Sequence, residues 1–205
     1  MSGLFLVTLA LSMCGWLAVR AGAPAATVDA VMTVVFAIVA VGCAVAARAQ
    51  LAPLLSSLEV RREIAAAVVG FGVLLIFCVI YFRGFRWLGL PVARMSDPYL
   101  KAGWPRWTLY LLVVVAPGLF EELTFRGYVM ARLDRLLTPT ETLLVQAALF
   151  SVLHLGVVIF PSHFVIGLIL GIVRRRTGSL YPGMAIHMGW NASVVWAELS
   201  GHAFP

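Results

Sequence analysis

Charge is what this chain has least of. Only 12% of its 205 residues are charged, against 62% hydrophobic, and the mean hydropathy is +0.99. So little polar surface cannot cover a soluble globule, and several apolar runs are long enough to cross a bilayer core of about 30 Å. The expected fold is therefore all-α: a polytopic transmembrane bundle of about seven to eight membrane helices. Cysteine is also scarce. Cys14, Cys43 and Cys78 each lie inside an apolar run, with neither metal-ligand spacing nor the pattern of a secreted disulfide framework, and read as small packing residues. A soluble basic domain is missing too, so the net charge of +6 implies no nucleic-acid partner. The basic residues cluster at segment ends, where they set orientation and meet lipid headgroups.

Seven apolar segments are present, at about 4–19, 28–47, 64–82, 107–120 and onward, 141–160, 164–173 and 182–199. No long soluble insertion or internal repeat separates them, so residues 1–205 read as one integral membrane domain. Ala21-Gly22-Ala23 resembles a cleavage site, but no basic residue precedes the first run, which favours a retained first helix. Thr138 and Glu141 fit a capping box with Pro139 at the first helical position, and Pro182 can open the last helix. Gly167 and Gly171 form a small-xxx-small pair that lets a neighbouring helix approach. The basic, aromatic stretch 83–106 is too polar to span and is expected to rest at the interface. Alternating crossings put nine basic residues on one side and six on the other, which favours a cytoplasmic N-terminus.

Against this background three short constellations stand out: EELTFR at 121–126, FSVLH at 150–154 and HMGWN at 187–191. An ionisable residue in hydrocarbon costs about 2.5–3.5 kcal/mol on insertion scales and marks a functional hypothesis. Glu122 and Arg126 are four apart, in the favourable order for a helical ion pair, while Glu121 points about 100° away. One acid can thus be paired internally while the other faces a cavity. His154 is four residues after Phe150, and His187 and Asn191 share a face. Each histidine alone would more commonly be a packing residue. Together, three separate segments each bring a polar patch, and mutual satisfaction inside the bundle is the cheapest way to bury them.

A carboxylate beside a histidine can hold and deprotonate water, and a second histidine with an amide N–H can receive the resulting oxyanion. No serine lies in an evident elbow or dyad. There is no HExxH either, although Glu with two His is a zinc ligand set that three helices could still assemble. Proton or metal transport would favour ionisable groups at several depths, and the first three segments have none in their interiors; Asp29 and Glu63 mark edges.

Glu-Glu-x-x-x-Arg, Phe-x-x-x-His and His-x-x-x-Asn, in order on successive apolar segments, resemble the CAAX-protease and bacteriocin-processing (CPBP, or Abi) family of intramembrane endopeptidases. The resemblance covers about residues 105–200, leaving 1–104 as accessory membrane helices and the interfacial segment. It implies a protease with Glu121 activating water, His154 as its partner, and His187 and Asn191 as the oxyanion pair. Glu122, Arg126 and Phe150 are implied as supporting residues. Family members are described both as metalloproteases and as glutamate proteases, so zinc is an open cofactor expectation; if present it would fall to Glu121, His154 and His187. The resemblance implies a membrane-associated protein or peptide substrate, with a non-proteolytic scaffold or immunity role as the alternative and ion or proton transport less favoured. Fourteen Arg against one Lys, with abundant Ala, Val and Gly, suggests a bacterial chain and hence a cytoplasmic (inner) membrane.

Overall fold

Helix starts and stops follow the local chemistry. Pro24 precedes α2, Pro105 precedes the helix that carries the first constellation, and Gly22 and Gly178 take φ of 97° and 69° where the chain must turn. The computed structural model describes residues 2–56 and 59–201, without the side chains of Ser2 and Leu4. Nine helices result among the described residues: α1 (Ser2–Arg20), α2 (Ala25–Ala46), α3 (Arg48–Ser56), α4 (Val60–Trp87), α5 (Asp97–Lys101), α6 (Arg106–Leu133), α7 (Pro139–Val152), α8 (Phe160–Thr177) and α9 (Tyr181–Leu199). The fold is an all-helical bundle of membrane type, with no strand among those residues.

The membrane-type helical bundle expected from the sequence is present; length and composition alone identify fewer crossings than the seven to eight expected. Among the described residues three helices, α2, α4 and α6, are long and apolar enough to cross a membrane on their own, and α1 holds a shorter apolar helix. The remaining apolar segments are shorter or end in charge; α8 closes with Arg174, Arg175 and Arg176. Two boundaries also move. The helix expected over 141–160 stops at Val152, and α8 begins four residues before the expected start at 164.

The capping box at Thr138 forms as expected: the Thr138 N–H donates to Glu141 Oε2 at 2.8 Å, and Glu141 N–H reaches Thr138 Oγ1 at 3.4 Å. α7 and α8 make the most extensive pair in the bundle. Their closeness comes from Gly167, where a Cβ would lie 2.8 Å from Ala147 Cα. The central core joins Leu74 and Cys78 of α4, Phe125 of α6, Phe150 of α7, Leu170 of α8 and Trp190 of α9. Cys43 and Cys78 are buried as packing residues; Cys14 is exposed. The polar stretch after α4 is tied across the bundle: the Met95 and Ser96 N–H groups donate to the Glu198 carboxylate at 3.0 and 2.8 Å, and the Tyr99 hydroxyl donates to Asp29. Burial and the adjacent Asp29 charge push the Tyr99 hydroxyl well above its ordinary value, so it remains the donor.

Candidate active site

Pro117 interrupts the hydrogen-bond ladder of α6 because it has no N–H to give. The helix does not break. It widens into π-helical turns over Tyr110–Val115 and Glu122–Val129, on either side of an α-helical piece at Ala116–Glu121. Such turns are often found at functional sites. A regular α-helix was the sequence expectation, but its main consequence survives: the two glutamates diverge. The Glu122 side chain is fully buried, whereas that of Glu121 keeps 28% of its surface open and lines a cavity.

Glu122 is the hub of a buried polar chain. Arg126 Nη1 donates to Glu122 Oε1 at 2.9 Å, and Arg126 Nη2 donates to the Gly167 carbonyl at 3.3 Å. That carbonyl also accepts from Gln146 Nε2 at 2.7 Å. On the other side, His187 Nδ1 donates to Glu122 Oε1 at 3.1 Å, leaving its Nε2 only 3.8 Å from Glu121 Oε2. A ring that gives its Nδ1 proton to Glu122 can offer a second N–H, at Nε2, only as imidazolium.

His154 lies just past the end of α7, in the turn before Leu155, whose φ is 50°. The last carbonyls of a helix lack intrahelical partners, and His154 Nδ1 serves one of them, the Phe150 carbonyl, at 2.9 Å. Two oxygen and nitrogen lone pairs cannot approach so closely, so the proton is on Nδ1 and Nε2 is the acceptor. Phe150, 1% exposed, stands between the groups: its ring centroid is 4.8 Å from His154 and 6.1 Å from His187, and the Arg126 guanidinium lies over it at 4.5 Å. Asn191 Nδ2 spends one N–H on the Val113 carbonyl at 2.8 Å, within the first π-helical stretch, and keeps a second.

The four residues expected to do chemistry, Glu121, His154, His187 and Asn191, all line one cavity of about 510 Å³. Its walls are otherwise mainly apolar, with Phe5 of α1, Met32 and Phe36 of α2, and Leu149 of α7. The groups that Glu121 and His154 meet directly are not each other. Glu121 meets His187 first, and the immediate neighbour of His154 is a third histidine, His163, at 4.0 Å between ring centroids. The expectation that zinc would fall to Glu121, His154 and His187 finds no support in the arrangement: among the described residues no group of three His, Cys, Asp or Glu could hold a metal ion.

Residues 103–193 match the model of a family described as type II CAAX prenyl endopeptidase Rce1-like. Over that segment, a little under half of the chain, the protein is similar to the CAAX endopeptidases. The match takes in every residue of the three constellations and ends two residues after Asn191. That similarity, together with three helices long and apolar enough to cross a membrane among the described residues, supports an integral membrane protein related to proteases that act on proteins or peptides. No curated protein and no solved structure matches the chain.

Two cavity residues, one within the CAAX endopeptidase-like segment and one outside it, were not evident from the sequence. His163 was passed over because the apolar run was taken to start at 164; Pro161, a first-turn proline of α8, was the signal that the helix begins earlier. Asp29 was read as a segment edge, yet it lies in the first turns of α2 and lines the cavity. Nothing in the local pattern of Asp29 distinguishes it from an interfacial acid.

Proposed function

We propose that this protein is an intramembrane endopeptidase that hydrolyses a peptide bond near the membrane-proximal or C-terminal end of a membrane-anchored protein or peptide, in the cytoplasmic (inner) membrane of a bacterium. The observation that carries the reading is Glu121 Oε2, a buried carboxylate oxygen without a hydrogen-bond partner on the wall of a cavity that it shares with three histidines and Asn191. Such an atom needs a donor, and water is the donor that hydrolysis uses.

In the mechanism, Glu121 takes a proton from water as the water oxygen bonds to the substrate carbonyl carbon. His154 Nε2 accepts the other hydrogen of that water and orients it. The developing charge on the carbonyl oxygen is received by His187 Nε2–H and the second N–H of Asn191. Glu122, itself paired with Arg126, holds the His187 ring. As the tetrahedral centre collapses, the proton on Glu121 passes to the amide nitrogen and the C–N bond breaks. A carboxylic acid and an amine leave, and Glu121 is again a carboxylate.

The direct test uses the purified full chain in lipid nanodiscs with a fluorogenic, membrane-anchored peptide. Glu121→Gln keeps size and removes basicity; it should lose about 10²–10⁴ in rate, the usual contribution of a positioned general base. Cleavage that survives Glu121→Gln unchanged would overturn the mechanism. Absence of cleavage by the wild type across a peptide library would favour a scaffold role.

A further inference from the structure

With the protease reading accepted as its basis, the reaction leaves one polar group of the substrate unserved. The two hydrogens of the attacking water go to Glu121 and His154, and the carbonyl oxygen goes to His187 and Asn191. The N–H of the scissile amide remains, and in a cavity with mainly apolar walls an unpaired N–H is costly.

His163 meets this need. It belongs to none of the three constellations, yet it lines the same cavity. Its ring packs 4.0 Å from that of His154 and 6.1 Å from that of Phe150. Its Nδ1 lies 3.0 Å from the Ile159 carbonyl and 3.3 Å from Ser162 Oγ, whose own hydroxyl donates to the same carbonyl at 2.8 Å. A nitrogen that close to a carbonyl oxygen carries the proton, so Nε2 is left as the acceptor of the ring. The same device, a carbonyl four residues back, fixes the tautomer of His154. Two adjacent imidazoles are thus set as acceptors by the backbone.

The geometry points to His163 as a further catalytic residue, its Nε2 accepting the N–H of the scissile amide. As the carbonyl carbon becomes tetrahedral, the nitrogen becomes pyramidal and its lone pair must face a proton. An acceptor holding the N–H turns that lone pair toward Glu121, which carries the proton taken from water. His163 gains and loses no proton in this step. Its action is to orient the leaving nitrogen.

An amide and ester pair provides the test. The probe is a quenched-fluorescence peptide with an apolar anchor and a short polar tail, its cleaved bond located by mass spectrometry, together with a twin carrying an ester at that bond. The ester has no N–H. Wild type, His163→Phe and His163→Gln are compared as full chains in nanodiscs, with size-exclusion profiles and thermal melts confirming folding. The phenylalanine keeps the ring contact and removes the acceptor; the glutamine keeps an acceptor near Nε2. The expected result is a loss of about 10–100-fold in kcat/KM for His163→Phe on the amide, a change of under about twofold on the ester, and substantial recovery of amide cleavage in His163→Gln. Equal losses on both substrates would mean that His163 only supports the cavity wall, and no loss on either would remove it from the reaction. Failure of the wild type to cleave either probe overturns the protease reading before any variant is compared, and the assignment of His163 with it.

Discussion

The two halves of the chain build one cavity from different materials. From α6 onward come Glu121, His154, His163, His187 and Asn191 of the lining, and behind them a buried chain runs from Gly167 through Arg126 and Glu122 to His187. α1 and α2 supply Phe5, Met32, Phe36 and Val39 together with the hydroxyl residues Thr8, Ser12 and Thr33, and Asp29 is the one carboxylate they add to the lining. Burial follows the same division: 39% of the apolar window in α6 is buried, against 11% in α2 and 17% in α4. The family match respects it as well, since it begins at residue 103. A polar site inside an apolar bundle needs a protein shell around it, whereas the outer helices can present apolar side chains such as Ile38, Val68 and Ile80 outward. Position in the bundle, more than hydrophobicity, separates the half that holds chemistry from the half that encloses it.

The sharpest way to break this division is to compare acids across it. Glu121→Gln should cost about 10²–10⁴ in kcat, while Asp29→Asn should cost under about tenfold, because Asp29 already accepts from Tyr99 and stands outside the polar chain. Similar losses from both, measured on one peptide, would make α2 a full partner in the chemistry.

Next in size is the buried ion pair. Removing one member of such a pair commonly costs about 3–5 kcal/mol because the other is left buried and uncompensated. Arg126→Met should therefore destabilise strongly in a denaturation series in detergent micelles, and adding Glu122→Gln should recover part of the loss. No exposed pair, such as Arg62 with Glu59, should approach that effect.

A smaller contrast tests packing. At Gly167 an added Cβ meets the Ala147 backbone at 2.8 Å, whereas at Gly70 of α4 it meets Ile186 Cδ1, the free end of a side chain, at 2.6 Å. Gly167→Ala should cost about 1–3 kcal/mol and also lower activity, because the Gly167 carbonyl anchors Arg126. Gly70→Ala should cost less and leave activity alone. Smallest is Thr138→Ala, which removes the α7 cap and should lower stability by about 1 kcal/mol without changing the cleaved bond.

Much of the site was legible because its signals are local. Glu122 and Arg126, His187 and Asn191, and the Thr138 cap all depend on residues three or four apart on one helix, a spacing that sequence displays directly. Buried charge was legible for the same reason: Glu and Arg following an uninterrupted apolar run have few places to go. What sequence could not display was contact between helices. Which histidine meets Glu121 depends on how α9 crosses α6, and the pairing of His154 with His163 depends on the reversal at Leu155. Widening of α6 into π-helical turns was hidden too; Pro117 announces a disturbance, but the side chains packed around it decide between a break and a bulge.

The central claim is that Glu121 makes this protein a protease. Wild type and Glu121→Gln should be expressed in the native host and the termini of its membrane proteins profiled by mass spectrometry. The account predicts a small set of new termini present with the wild type and missing with the variant, at equal levels of folded protein; identical termini in the two would contradict it.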